Sequence, residues 1–318
     1  MHDCLPQQSR LFIADGGLET DLIFNRGIDL PCFASIALLR TDEGRRALDD
    51  YFRPYVELAR RLGTGCLLES ASWRASPDWA PKLGLGLDEL EALNRSSVAM
   101  LKALRDEFHG DGTRIVVSGC IGPRGDGYDP GAIMSADEAE DYHAWQAFAL
   151  ASAGPDLLSA ITMTNVNEAI GVAKAARRSG LPAVISFTVE THGCLPTGDS
   201  LRSAVEAVDE ATGSYPGYYM INCAHPTHFV SVLERGAEWT RRLGGIRANA
   251  SRCSHAELDA MSELDAGDPD ELARLYRGIR RDFPQVTVLG GCCGTDLRHI
   301  AAIGETCAGE EEALPFVA

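Results

Sequence analysis

The sequence predicts an α/β protein built as a single (β/α)₈ TIM barrel. Eight short apolar or β-branched runs recur along the 318 residues, and each is followed by small or polar residues. An amphipathic stretch follows each run, the alternation expected of parallel strands joined by crossover helices. An open doubly wound sheet shows the same alternation, but eight repeats in a chain of this length favour the closed form.

The first run, 11–14, leads into Asp15-Gly16-Gly17, and the second, 66–68, into Glu69-Ser70-Ala71-Ser72. Run 115–117 leads into Ser118-Gly119-Cys120-Ile121-Gly122-Pro123, and run 157–161 into Thr162-Met163-Thr164-Asn165. Run 183–187 is followed by Thr188-Val189-Glu190-Thr191-His192, and run 218–221 by Asn222-Cys223-Ala224-His225. The last two, 245–247 and 286–289, end in Ala248-Asn249-Ala250-Ser251 and Gly290-Gly291-Cys292-Cys293-Gly294-Thr295. Helices are expected over 44–62, 87–108, 136–153, 167–178, 200–212, 227–242, 269–283 and 296–303. Spacing by three and four, as at Leu90, Leu93, Val98, Leu101 and Leu104, supports them. Residues 21–42 carry less helix signal and read as an extended first loop. No linker long enough to divide domains is visible, so one barrel over residues 1–318 is expected.

The chain is 45% hydrophobic, ample for a large core. Its formal net charge of −17 argues against nucleic acid and anionic membrane as partners and is compatible with a cationic small molecule. No apolar run approaches the ~20 residues of a membrane span. The N-terminal segment lacks the basic-then-apolar pattern of a signal peptide, so a cytoplasmic protein is expected. Ten cysteines are too few and too scattered for a disulfide scaffold. Oligomeric state is not legible, and a homo-oligomer stays open.

Chemistry concentrates at 286–295. Adjacent side chains point to opposite faces of a strand, so Cys292 and Cys293 can serve one centre only if the chain leaves regular structure between them. Gly290, Gly291 and Gly294 permit that. Thr295 or Asp296 can cap the following helix, whose N-terminus favours thiolate over thiol. In a barrel, chemistry sits at the C-terminal ends of the strands. Cys223 after the sixth strand and Cys292 and Cys293 after the eighth can therefore meet at one tetrahedral zinc. Three protein ligands leave one position open, and soft thiolates select zinc over magnesium or calcium. An all-thiolate zinc is a poor Lewis acid for hydrolysis but suits alkyl transfer to a bound thiol.

These pieces resemble the homocysteine S-methyltransferase family of zinc-dependent barrels, which includes betaine– and S-methylmethionine–homocysteine methyltransferases. The matching segments are Asp15-Gly16-Gly17, Gly119-Cys120-Ile121-Gly122-Pro123, Ile221-Asn222-Cys223 and Gly290-Gly291-Cys292-Cys293-Gly294-Thr295 followed by His299-Ile300. The resemblance implies zinc on Cys223, Cys292 and Cys293, a thiol acceptor as the exchangeable ligand, and methyl transfer from a sulfonium or quaternary ammonium donor. Homocysteine would then give methionine. It also implies that Asp15 lies near the acceptor's amino group, with the backbone of Gly16 and Gly17 near its carboxylate. No second module follows the barrel, so a corrinoid-dependent route is not expected.

One departure stands out. Members that use homocysteine usually end the fourth strand in Glu-Thr, and that glutamate binds the ammonium. Here Ile161 occupies its position. Glu69 and Glu190, each just past a strand end, are the candidates to replace it; the alternatives are a thiol acceptor without an amino-acid head, or a non-catalytic zinc or redox protein.

Plainer readings exist for each residue. Cys292 and Cys293 could be core cysteines or a vicinal disulfide, and Asp15 could bond only its own turn. Asn222 could orient a zinc cysteine or cap a helix, and Glu69 and Glu190 could be solvated loop charges. His192 and His225 read as turn or pocket residues, and Cys120 as packing. Cys4, Cys32, Cys66, Cys194, Cys253 and Cys307 lack partners at metal spacing and read as structural.

Overall fold

The computed structural model describes residues 5–308; Cys4 and the acidic run 309–312 lie outside the described residues. Eight parallel strands pair in chain order and close, β1 against β8. They are β1 Phe12–Ala14, β2 Gly65–Glu69, β3 Ile115–Ile121, β4 Leu157–Met163, β5 Ala183–Phe187, β6 Tyr218–Asn222, β7 Leu243–Ala248 and β8 Val288–Gly291. The crossover helices are α1 Asp42–Leu62, α2 Leu87–Glu107, α3 Ala136–Ala151, α4 Val166–Ser179, α5 Leu201–Thr212, α6 Pro269–Asp282 and α7 Leu297–Ala308.

The strand period of two divides the apolar residues into two cores. Phe12, Ala14, Leu67, Val116, Leu157 and Ile161 belong to the cluster that fills the barrel interior. Ile13, Leu68, Val117, Leu158 and Ile185 alternate with them and pack under the helices. The alternation breaks once near the site. Thr162 takes φ +67°, the β4–β5 register shifts between Ala160 and Met163, and Met163 joins the outer core. Such a bulge re-aims the end of a strand.

Caps set several helix ends. The Ser135 hydroxyl and Glu138 form a reciprocal capping box on α3, the Asn165 side chain caps α4, and Gly180 ends α4 at φ +80°. The helix expected over 227–242 is not continuous: it is divided into Pro226–Phe229, Val230–Val232 and Glu238–Arg241. Gly236, at φ +80°, turns the chain between the last two. The expected loop at 21–42 winds through the short turns Asp21–Asn25, Pro31–Phe33 and Ser35–Arg40. Among the described residues no helix is long and apolar enough to cross a membrane.

Candidate active site and metal centre

The C-terminal ends of β6 and β8 bring three cysteines together. The sulfurs of Cys223, Cys292 and Cys293 lie within 4.8 Å of one another. Cys223 and Cys292 are joined as a disulfide across a Cα–Cα distance of 5.3 Å, and Cys293 is free beside them. A bridge between the adjacent cysteines is therefore not the one formed. The turn depends on its glycines. A Cβ on Gly291 would fall 2.0 Å from the Thr295 hydroxyl, and Gly294 adopts φ +80° with Asp265 O 2.7 Å from a would-be Cβ. Asp296 caps α7, accepting from Arg298 N at 2.9 Å. The helix end does not by itself favour thiolate at Cys293, because burial pushes that thiol up.

Asn222 holds the strand ends around these sulfurs. Its carbonyl oxygen accepts from Thr162 N at 3.0 Å and from the Ser186 hydroxyl at 2.6 Å. Its amide donates to the Thr162 hydroxyl at 2.7 Å and points to the Cys292 sulfur at 3.9 Å. Thr162 in turn reaches Cys223 Sγ at 3.9 Å. Both Thr162 and Cys223 have positive φ, +67° and +53°. Left-handed backbone at a non-glycine residue costs about 1–3 kcal/mol and persists only where its surroundings enforce it. The buried Asn222 network enforces it here.

A third group approaches from the β3–α3 loop. The Tyr128 hydroxyl lies 3.5 Å from Cys293 Sγ, and its ring stacks on His255 with centroids 3.9 Å apart. His255 Nε2 is bonded to the Cys223 carbonyl at 2.6 Å, and its Nδ1 faces Glu190 at 3.3 Å. Glu190 thus stands behind the cysteines, through His255, and does not line the cavity they face. His225 caps its own short helix, with its Nδ1 accepting from Thr227 N at 3.3 Å, and His192 Nδ1 accepts from Cys194 N at 3.3 Å.

The three cysteines share an inner cavity of about 90 Å³ with Asp15, Gly16, Gly17, Glu69, Ile161 and Arg247. Arg247 runs from β7 over Gly290, where a Cβ would sit 3.2 Å from its Cγ. Its Nη2 meets Asp15 Oδ1 at 2.6 Å, and its Nη1 lies 3.9 Å from Glu69 Oε1. Burial raises the pKa of both carboxyls, with Arg247 the main opposing influence. Asp15 also receives the Tyr51 hydroxyl at 3.3 Å. Glu69 is different: neither of its oxygens takes a hydrogen bond of normal geometry, and Arg247 Nη1 is also unpaired.

The family described as homocysteine S-methyltransferase matches residues 12–307, which span β1 to α7 and include every residue of this site. The chain belongs to the homocysteine S-methyltransferase family. It is a methyltransferase. Arabidopsis thaliana homocysteine S-methyltransferase 1 is 24% identical over 322 aligned positions, covering 95% of each chain. Among solved structures, the oxidised form of the Escherichia coli homocysteine methyltransferase MmuM superposes with a TM-score of 0.72 at 23% identity, over 95% of this chain and 98% of that one. Its metallated form gives 0.68 at 23% identity, over 93% and 96%. These two likenesses establish the fold.

An outer vestibule of about 500 Å³ opens onto Cys223 and Cys293. Phe24, Phe33, Trp73 and Tyr128 supply aromatic faces, and Asp259 and Glu263 supply carboxylates. Trp73 is fixed by its indole N–H, which donates to Ile161 O at 3.1 Å. A Cβ at Gly122 would strike Trp73 O at 2.4 Å, so that glycine admits the ring.

Sequence reasoning missed Arg247, Tyr128, Trp73 and Thr162. Arg247 did carry a signal: it is a charge inside an otherwise small and apolar strand, Leu-Gly-Gly-Ile-Arg-Ala. Tyr128 and Trp73 lie in loops whose course no periodicity fixes, and nothing in Ile-Thr-Met marks Thr162 as left-handed.

Proposed function

We propose that this chain is a zinc-dependent S-methyltransferase that moves a methyl group from a sulfonium or quaternary ammonium donor to homocysteine, giving methionine. The observation that carries the reading is the convergence of Cys223, Cys292 and Cys293 at the inner cavity, with Cys223 and Cys293 also facing the vestibule. The donor set fits zinc: three sulfurs within 4.8 Å compare with a spacing of roughly 3.8 Å around a tetrahedral Zn–S centre. Burial works against an unaccompanied thiolate, so thiolates here suit a bound cation. The Escherichia coli relative has been solved in forms named metallated and oxidised, and a three-cysteine centre offers both chemistries, a metal ion or an S–S bond.

A zinc ion held by these residues supplies the charge that keeps an acceptor thiol deprotonated and nucleophilic at neutral pH. The rest falls to the protein. Asn222 and Tyr128 orient the cysteine side chains, and the apolar side of the inner cavity, Ile161 and Cys120, excludes water. The vestibule presents aromatic faces and carboxylates to a cationic donor, which both attract. As the acceptor sulfur forms its new S–CH₃ bond, the donor's C–S or C–N bond breaks and the donor leaves neutral; the thiol proton has gone to solvent.

A second reading has its own observation. Ile161 lies in the inner wall where the resemblance puts a glutamate, which suits a thiol without an ammonium. Reduced, zinc-loaded protein incubated with L-homocysteine and S-methylmethionine, betaine or S-adenosylmethionine should form methionine, and Cys292→Ala should not. A Cys292→Ala protein with full activity refutes the reading.

A further inference from the structure

Three loops at the mouth of the barrel meet on one side chain, Arg74, the only basic residue among the described residues that line the vestibule. Its Nη1 donates to Cys32 O at 2.7 Å in the loop after β1, and its Nη2 to Asp126 Oδ2 at 3.2 Å in the loop after β3. Its guanidinium carbon lies over the rings of Trp79 at 4.5 Å, Trp73 at 5.0 Å and Phe33 at 5.8 Å. Each of these contacts leads to an aromatic residue of the vestibule. Cys32 and Phe33 both take φ +55°, a left-handed pair that persists only where its surroundings enforce it. The bond to the Cys32 carbonyl holds that turn, which sets Phe33 at both cavities. Asp126 extends the other arm: its Oδ1 accepts from Tyr128 N at 2.9 Å and from Asp129 N at 3.3 Å, fixing the turn that brings the Tyr128 hydroxyl to Cys293. Gly127 lets this loop close on the indole, since a Cβ there would lie 3.0 Å from Trp73 Cζ2. The Arg74 side chain is only 14% exposed, so water competes little for these bonds. A guanidinium suits the place because it donates in two directions while its plane stacks on rings.

We propose that Arg74 is a positioning residue for the methyl donor, holding Phe33, Trp73 and Tyr128 as one aromatic wall for the donor's onium group. Cation–π attraction requires the cation within about 6 Å of a ring centroid, so a wall whose loops drift apart loses its grip. The charge of Arg74 does not repel the donor, because Asp126 is paired with it and Asp259 and Glu263 keep the vestibule acidic. Arg74 lines the vestibule and not the inner cavity, so its effect falls on the donor and spares the acceptor. The inference rests on the methyl-transfer reading above and assigns one substrate of that reaction to one guanidinium.

Steady-state kinetics of reduced, zinc-loaded protein with homocysteine and each of S-methylmethionine, betaine and S-adenosylmethionine separates the two substrates. Arg74→Met keeps much of the stem but removes every donor; it should raise the donor KM at least tenfold and leave the homocysteine KM within twofold. An equal rise in both KM values, or a donor KM within twofold of the parent, overturns the assignment. In Arg74→Ala, methylguanidinium should lower the donor KM at least threefold where methylammonium does not, a rescue that lost packing alone would not give; equal effects of the two additives overturn it. Asp126→Ala, at an exposed carboxylate, frees the Tyr128 arm alone and should raise the donor KM about threefold. No rise there overturns the proposal even should Arg74→Met fail to fold. Calorimetric titration of metal-free reduced protein with the same three onium compounds distinguishes failure here from failure of methyl transfer. A tenfold weaker Kd in Arg74→Met for the tightest of them upholds the positioning role even where no turnover is seen. Binding unchanged by Arg74→Met, or no onium binding by the parent, overturns it and leaves methyl transfer to be judged by turnover.

Discussion

The guanidinium of Arg247 on β7 and the carboxylate of Asp15 at the end of β1 meet at 2.6 Å across the top of β8, both buried. Gly290 makes the crossing possible, since any side chain there would press on Arg247 and on Ala14. The pair ties the motif after the first strand to the inner cavity, and it sets the local charge before any ligand enters.

Asp15→Asn should be one of the most destabilising single changes in the barrel. It leaves the buried guanidinium its backbone carbonyl partners but, as a charge partner, only Glu69 at 3.9 Å. Breaking a buried ion pair from one side typically costs about 3–5 kcal/mol, because the remaining charge is uncompensated. Urea unfolding of the metal-free protein reads this directly, and a loss below about 1 kcal/mol would show that water reaches Arg247 freely.

Glu69 should show the opposite sign. Its folded-state pKa is raised, so its ionised form is disfavoured by the fold and it costs stability at neutral pH. That cost is relieved as pH falls through the raised value. Glu69→Gln should therefore melt a few degrees higher than the unsubstituted protein near pH 8 (roughly 2–4 °C per kcal/mol at this size), with the gap closing on acidification. A lower melting temperature for Glu69→Gln at pH 8 contradicts the sign.

The barrel was legible because its signals are periodic. Eight apolar runs with polar ends, the glycine-framed Cys292–Cys293 turn and the Asp296 cap are local patterns, and the structure builds strands, turn and helices at those places. The broken stretch at 227–242 was not legible, since amphipathic spacing continues across Gly236 although its backbone does not. The pairing of Glu69 with Arg247 was out of reach for a different reason. It joins β2 to β7, 178 residues apart, by a side chain whose direction depends on the closure of the whole barrel. Glu190, placed beside Glu69 by sequence position alone, turns instead to His255.

Asn222 is expected to matter through the cysteines it orients. Asn222→Ala removes the bonds that hold Thr162 and Cys223 at positive φ and the contact to Cys292 Sγ. Zinc affinity, measured by competition with a chromophoric chelator, should fall about 10–100-fold, as for loss of a group that orients metal ligands. An affinity within twofold of the parent would assign Asn222 to packing alone.

Acid stability should depend on Glu168, which accepts from His143 Nε2 at 2.9 Å and from Arg124 N at 2.6 Å and so anchors the loop that carries Tyr128. Burial disfavours its charge, but the His143 bond and the remaining partners outweigh it, so its folded pKa lies below the ordinary 4.5. Its contribution is present above 4.5 and is lost as pH falls through the lowered value. Glu168→Gln should be less stable at pH 7 by about 1–3 kcal/mol and should lose less of its remaining stability on acidification from about pH 5 to 3. Parallel pH–stability curves for the two proteins would exclude this linkage.

The central claim, that Cys223, Cys292 and Cys293 hold a zinc ion able to receive a visiting thiol, is tested most directly by zinc-edge X-ray absorption on reduced, reconstituted protein with and without L-homocysteine. The account predicts three sulfur scatterers and one light atom in the first state and four sulfurs in the second. A coordination shell unchanged by homocysteine, or a reduced protein that retains no zinc, contradicts it.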